Sequence, residues 1–496
     1  MRVFVKLMDV FNLVLCLCVI CGTINSSPDI FVKQKRKYRP IYHLTSSQGW
    51  MNNPAGITVF RRKYHIFYQL HPYNAPLGLV SWGHAISTNL VDWLHYPAAL
   101  VPSKTYDRHG CLSGTALVNW RFLTLFYTGH RISNNVSYET QNIAMSRDGI
   151  IFKKYIYNPV IKQSPINTKV LRNPKVWRFR NYWYMILGTT SILGTGELLL
   201  YTSPDMFNWK LYRTVATSYG DMGYIWENPD LFKLNGHHVL LLSAIGIQVP
   251  SDDYRFNNKY QVGYVVTRFD YLTARFEDLE LSAATFHQLD NGHDFYAPKT
   301  LSSNGRRILI AWMGMWENNF TSTTFGWAGM MTLPRELSLN VDGRILMTPI
   351  KEIVSLRTEL VESAWYEPGE MFLAGYKSFE LLVNSTSPFS DTVLIFDWIT
   401  GAFSIRYSAE FGYISVDRGD DDGERRAYWS PEKYIFLRIF VDASSVEIFC
   451  GEGEVVFSSR IYPNAMIIRV EGSTNVYIVQ YRLRRSVRFD SLKYRP

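Results

Sequence analysis

Five polar residues of this 496-residue chain recur at a nearly even interval. Asn53, Ser113, Asn173, Glu227 and Asp294 stand 60, 60, 54 and 67 residues apart. Their neighbourhoods are alike: Gly49-Trp-Met-Asn-Asn-Pro-Ala-Gly56, Leu171-Arg-Asn-Pro-Lys-Val-Trp177, Trp226-Glu-Asn-Pro-Asp230 and Asp290-Asn-Gly-His-Asp-Phe-Tyr296 each run from a polar cluster into an apolar strand. A carboxyl such as that of Glu227 can move a proton, whereas the amides of Asn53 and Asn173 can only donate and accept hydrogen bonds. Taken singly, Asn, Asp, Gly and Pro are common turn residues. Equal phase in every copy argues instead that these positions meet in one place.

The elements that would bring them together follow the same period. Apolar strands recur at Tyr64–Gln69, Phe122–Gly129, Tyr182–Thr189, His238–Ala244 and Arg307–Gly314, with starts 58, 60, 56 and 69 residues apart. A second signature, Ser87-Thr-Asn-Leu-Val-Asp-Trp93, returns as Ser146-Arg-Asp-Gly-Ile-Ile-Phe152 and Ser203-Pro-Asp-Met-Phe-Asn-Trp209. Units of about sixty residues with room for four strands are the mark of a β-propeller, here of five blades. Long helical periodicity is missing between the strands, which counts against an α/β barrel. Each polar cluster falls about ten residues before its apolar strand, on or beside the first strand of a blade. In a propeller that strand lines the central channel. The cluster Asn52-Asn-Pro-Ala-Gly56 itself reads as a turn.

The repeat stops after Pro334-Arg-Glu-Leu337, and residues 340–370 read as a mixed connecting stretch. Nine short alternating strands follow, from Phe379–Val383 to Val476–Arg482, separated by Gly, Asp and Ser turns. They predict an antiparallel β-sandwich. The expected organisation is all-β: a signal peptide over 1–27, a five-bladed β-propeller with an active-site funnel over 28–345, and a linker with β-sandwich over 346–496.

Bulk properties narrow the class. Met1 to Lys6 are basic, Phe11 to Cys21 form an apolar core too short for a comfortable membrane span, and Gly22 to Ser27 offer a cleavage zone, so secretion is expected. Removing that segment takes three of the five cysteines, leaves Cys111 and Cys450, and makes the fold rest on its core. Acceptor sequons at Asn135, Asn319 and Asn384 suit a secreted glycoprotein. The net charge of +9 is spread thinly, and the two basic runs that stand out, Lys33–Arg39 and the C-terminal tail, read as solvated ends, so neither nucleic acid nor a membrane is expected as a partner once the signal is gone. No Cys/His spacing suggests a metal, and no glycine loop suggests a phosphate-bound cofactor. Aromatic residues make up 15% of the chain, which suits β cores and also sites where flat rings meet sugar faces.

These clusters resemble the motifs of the β-fructofuranosidases of glycoside hydrolase family 32, over essentially the whole mature chain. Gly49–Gly56 is similar to the family's Trp-Met-Asn-Asp-Pro-Asn-Gly motif, Leu171–Trp177 to its Arg-Asp-Pro motif, and Tyr224–Phe232 to its Glu-Cys-Pro motif. Trp82-Gly-His-Ala85, Gly110-Cys-Leu-Ser-Gly114, Asp294-Phe-Tyr-Ala-Pro298, Gly326-Trp-Ala-Gly329 and Phe440-Val-Asp442 extend the likeness. The resemblance implies retaining hydrolysis of sucrose or short fructans, with a carboxylate nucleophile and a carboxylic acid about 5–5.5 Å apart. It implies Glu227 as acid/base, Arg172 as the fructose-gripping cation, and sugar contacts at Asn52, Gln69, Trp82, Leu112, Ser113 and Trp312.

The departures fall on the chemistry. Asn53 stands where the family has its nucleophilic aspartate, and Asn173 where it has the aspartate that stabilises the transition state. Asn228 and Ala55 also replace motif residues, and Leu77–Ser81 replaces an aromatic-rich run. A neutral amide is a very poor nucleophile, and losing a nucleophile costs roughly 10⁴–10⁶ in rate. Deamidation is not a rescue, because Pro54 and Pro174 lack the backbone N–H that drives it. The expectation is a hydrolase scaffold strongly impaired in hydrolysis. The alternative expectation is a secreted, non-catalytic fructoside-binding protein.

Overall fold

The computed structural model describes residues 37–488, apart from 73–78, 163–169, 251–252, 278, 280, 317, 319 and 386. The expected signal segment, the sequon at Asn319 and Leu77 therefore lie outside the described residues.

Five sheets, each built on four sequential antiparallel strands, form the first part of the chain. Their inner strands are Gly49–Phe60, Gly110–Asn119, Leu171–Phe179, Met222–Leu234 and Tyr296–Ser303. Each apolar strand read from the sequence is the second strand of its blade: Lys63–His71, Phe122–Ser133, Tyr182–Thr190, His237–Ile247 and Arg306–Met313. These strands are buried on both faces, which is why they read as continuous apolar runs. In the third blade, Met185, Leu187 and Leu199 pack toward Phe126 and Ile143 of the second blade. The alternate residues Ile186, Leu198 and Leu200 pack toward Leu240 and Leu242 of the fourth. Period-two side chains thus serve two neighbours at once.

The Ser-x-Asp signature is the turn between third and fourth strands. Asp148 Oδ1 accepts the N–H groups of Ile150 and Ile151, and Asp205 Oδ1 those of Phe207 and Asn208. Asn89 does the same for Val91 and Asp92 in the first blade, and Asp270 holds Leu272 and Thr273 in the fourth. These are side-chain mimics of backbone turns.

The inner strands touch one another in a closed ring, from Gly49–Phe60 round to Tyr296–Ser303 and back. A short parallel pairing of Gly49–Trp50 with Trp327–Ala328 fastens the seam, where Gly49 N donates to the Gly326 carbonyl at 3.0 Å. The fifth blade does not stop at residue 337: Ile345–Pro349 pairs with Arg335–Leu339 as its outer strand. The stretch after it is also a strand. Arg357–Tyr366 pairs with Val476–Leu483 at a sheet edge, and its mostly exposed side chains gave no apolar alternation to read.

Two six-stranded sheets then stack face to face. Leu381, Val383, Ile435, Leu437 and Ile439 of one meet Leu394, Phe396, Ile405, Ile468 and Val470 of the other in a single core. The chain finally returns to the propeller, where Val487–Arg488 pairs with the outer strand of the first blade and Arg484 pairs with Asp92 at 2.6 Å. Arg39, in the other basic run, reaches the Ser46 carbonyl and lies over Trp327. These two cations are structural rather than solvated ends. Cys111 and Cys450 are buried free thiols. Asn135 lies in the exposed turn of a hairpin, and Asn384 is half-buried in a sandwich strand.

Candidate active site

The sequence reads Asn52–Gly56 as a turn, but it lies inside the twelve-residue strand Gly49–Phe60. What the turn residues make is a β-bulge, and all five inner strands carry one at the same level. Ladder register shifts fall between Met51 and Pro54, between Leu112 and Gly114, across Asn173-Pro174, between Glu227 and Asp230, and between Tyr296 and Lys299. Four of the bulges contain a proline, at positions 54, 174, 229 and 298. Proline has no N–H for the ladder, so a strand tolerates it where pairing is already broken. Asn173, Asn228 and Ala297 adopt φ of 60°, 48° and 52° there, a left-handed conformation that Asn accepts more readily than Ala.

The bulge also dictates which residues share a side. Arg172 pairs opposite Gly188 and Lys175 opposite Ile186; Glu227 pairs opposite Ser243 and Asp230 opposite Leu241; Tyr296 pairs opposite Trp312 and Lys299 opposite Ile310. In each case three residues of the inner strand match two of its partner. Residues i and i+3 therefore face the same way, and the channel is lined in two layers.

The upper layer holds Arg172, Glu227 and Tyr296. Arg172 donates from Nη1 to Glu227 Oε1 at 2.8 Å, and Tyr296 donates its hydroxyl to Glu227 Oε2 at 2.8 Å. The other side of the Arg172 guanidinium grips Glu139, through Nε at 3.1 Å and through Nη2. Burial opposes the charge on Arg172, but the two carboxylates outweigh it and raise its pKa. Burial first, and then Glu227, push the Tyr296 phenol well above its ordinary value, so it stays a proton donor in its hydrogen bond.

Two further links fix the third blade's bulge. Thr128 Oγ1 accepts the Asn173 N–H at 3.0 Å and donates to Gln141, whose amide donates to the Leu171 carbonyl. Glu139 also accepts the Leu171 N–H at 2.8 Å.

On the first blade, Asn52 Nδ2 donates to Gln69 Oε1 and lies 3.3 Å from Asn53 Oδ1. Asn53 and Asn173 are only 4% and 3% exposed, so neither is a solvated surface amide. Trp82 donates from Nε1 to the Leu112 carbonyl at 3.1 Å, tying the first blade to the second. Trp312 is fully buried in an aromatic cluster with Trp50, Trp316 and Phe320. Ser113 Oγ, Asn173 Oδ1 and Trp312 Nε1 are buried without a protein partner.

Asp294 departs from the expectation of five converging residues. Its carboxylate takes Arg418 Nη1 at 2.9 Å and the Arg460 N–H at 2.9 Å, both from the sandwich. The fifth blade instead presents Tyr296, two residues later. Tyr296 lies inside the motif read for Asp294, whereas no local motif marks Glu139, Thr128 or Gln141; Glu139 sits on a third strand, and only the contact with the next blade brings it to Arg172. Among the described residues, no group of three or more His, Cys, Asp or Glu is placed to hold a metal ion.

Comparison with known proteins agrees with this architecture. The sequence matches the glycosyl hydrolases family 32 N-terminal domain over residues 43–349 and the family 32 C-terminal domain over residues 374–496. The chain belongs to glycosyl hydrolase family 32. It is 36% identical over 451 residues to the raffinose invertase of Escherichia coli, covering 86% of this chain and 90% of that protein. It is 34% identical over 463 residues to an Escherichia coli sucrose-6-phosphate hydrolase, covering 88% of this chain and 92% of that protein. The structure of the Bombyx mori GH32 β-fructofuranosidase BmSUC1 superposes with a TM-score of 0.85 at 38% identity, covering 93% of this chain and 98% of that one.

Proposed function

We propose that this protein is a secreted, β-fructofuranosidase-type member of the family whose pocket receives the fructosyl unit of sucrose or a short fructan, and whose hydrolysis is strongly impaired. The observation that carries this reading is the pairing of an intact Arg172–Glu227–Tyr296 constellation with buried amides at 53 and 173. A mutant of the Bombyx mori relative was solved in complex with sucrose, which supports a small fructoside as ligand.

In this reading Glu227 is the acid/base and Arg172 holds sugar hydroxyls while fixing the carboxyl. Retaining hydrolysis needs a second carboxylate to attack the anomeric carbon and form a glycosyl ester. Asn53 offers an amide oxygen already in contact with Asn52 and no negative charge. The covalent step is therefore the one lost.

A second reading, a non-catalytic fructoside-binding protein, is favoured by a different observation. Ser113 Oγ, Asn173 Oδ1 and Trp312 Nε1 are buried polar atoms left unpartnered by protein. Such atoms cost free energy unless a ligand or water satisfies them. Calorimetric titration with sucrose and with short fructans tests the pocket: saturable binding that is lost in Arg172→Ala supports it, and no heat of binding from the folded wild type overturns it.

A further inference from the structure

The second layer of the channel has more positive charge than its partners neutralise. Lys175, Asp230 and Lys299 lie three residues beyond Arg172, Glu227 and Tyr296 on three inner strands, facing the same side by the bulge register. Arg307, on the second strand of the fifth blade, pairs opposite Ser302 and so stands on the other face of that blade from Lys299; it lies over the Phe232 ring and its Nη1 is 3.4 Å from Thr300 Oγ1.

The carboxylate of this layer is Asp230. Asp230 Oδ1 pairs with Lys175 at 2.5 Å, and Oδ2 accepts both the N–H and the hydroxyl of Thr300, at 2.8 and 3.0 Å. Lys299 is 3% exposed, yet its Nζ has no hydrogen-bond partner; Arg307 Nε is likewise buried and unpartnered. Burying an ammonium without partners is strongly unfavourable. Burial lowers the Lys299 pKa to about 8, with Asp230 opposing and Lys175 reinforcing the fall. At neutral pH most molecules therefore still carry this charge.

We propose that this lower layer is an anion site, in which Lys299, with Lys175 near it, binds a small monovalent anion of chloride's size. The anion would supply the acceptor that Lys299 Nζ lacks and offset the surplus of Lys175 and Lys299 over the one carboxylate, Asp230. A monovalent ion suits a buried site because a doubly charged oxyanion costs more to dehydrate. Nothing in this site depends on whether the sugar pocket above it hydrolyses.

The test uses the full mature chain. Thermal unfolding is followed as sodium chloride or sodium bromide replaces sodium gluconate at constant ionic strength, for wild type and Lys299→Met. A bound anion raises Tm with its concentration, by about 2 °C or more over a hundredfold range above Kd. The expected result is that rise in wild type and its loss in Lys299→Met. Crystals of the wild type in bromide, read by anomalous scattering, should show a peak within hydrogen-bond reach of Lys299 Nζ, which keeps the test open if the variant fails to fold. A wild-type Tm indifferent to halide, an unchanged halide response in folded Lys299→Met, or an empty anomalous map at the site would overturn the proposal.

Discussion

At the scale of single residues, the proposed impairment of hydrolysis turns on two amides. Asn53 and Asn173 keep the shape of aspartate and sit buried on inner-strand bulges, and the supporting contacts of Arg172 to Glu139 and Glu227 are in place. If charge rather than pocket geometry is what is missing, Asn53→Asp combined with Asn173→Asp should raise fructose release by at least about a hundredfold over wild type, well short of the 10⁴–10⁶ that a nucleophile is worth. No gain in the folded double variant would place the defect elsewhere in the pocket. Arg172 tests the other half of the constellation. Because Glu139 is buried and takes both N–H groups of one guanidinium edge, Glu139→Ala should destabilise the fold by about 3 kcal/mol, as breaking a buried pair does, measurable by denaturant unfolding.

At the scale of elements, the bulged inner strand is the device that builds the site. Close blade contact is part of it: a Cβ at Gly188 would lie 2.1 Å from the Trp226 carbonyl oxygen, one residue before Glu227. Gly188→Ala should therefore cost at least about 1–3 kcal/mol and weaken sucrose binding by displacing Glu227, read as a lower Tm and a larger Kd together. The blade repeat was legible in sequence because double-sided burial writes apolar runs such as Tyr182–Thr190 at a fixed period. The phase of Asn53, Ser113, Asn173 and Glu227 was legible for the same reason. The bulges were not, because Asn-Pro pairs carry the same local signal in a turn and in a broken ladder. Asp294 misled because it keeps the phase of the repeat, while its environment is decided by Arg418 and the Arg460 N–H, over a hundred residues away in sequence. The edge strand Arg357–Tyr366 was missed because an edge has little apolar face to show.

At the scale of the whole molecule, propeller and sandwich are locked by a buried charge network. His43 lies 2.9 Å from Asp442 and 2.8 Å from Glu447; Arg335 joins Glu447 at 2.6 Å to Asp290 at 2.7 Å, and all five side chains are fully buried. Burial alone would lower the His43 pKa, but hydrogen bonds and charges of Asp442 and Glu447 carry it up to about 9. The folded value lies above the unfolded one of about 6.5. The stabilisation is therefore full below pH 6.5 and is lost as pH rises through about 9. Its size is about 3 kcal/mol by linkage. Unfolding free energies of wild type and His43→Gln, compared from pH 6 to pH 10, should converge as pH rises; a difference independent of pH would contradict the assignment.

A family 32 scaffold with amides at 53 and 173 is expected not to turn over fructosides at a family rate. The most direct measurement is fructose release from sucrose by the purified wild-type protein, with an intact relative assayed alongside. The expected rate is at least about a thousandfold lower than the relative's. Ordinary turnover by this unmodified chain would contradict the account.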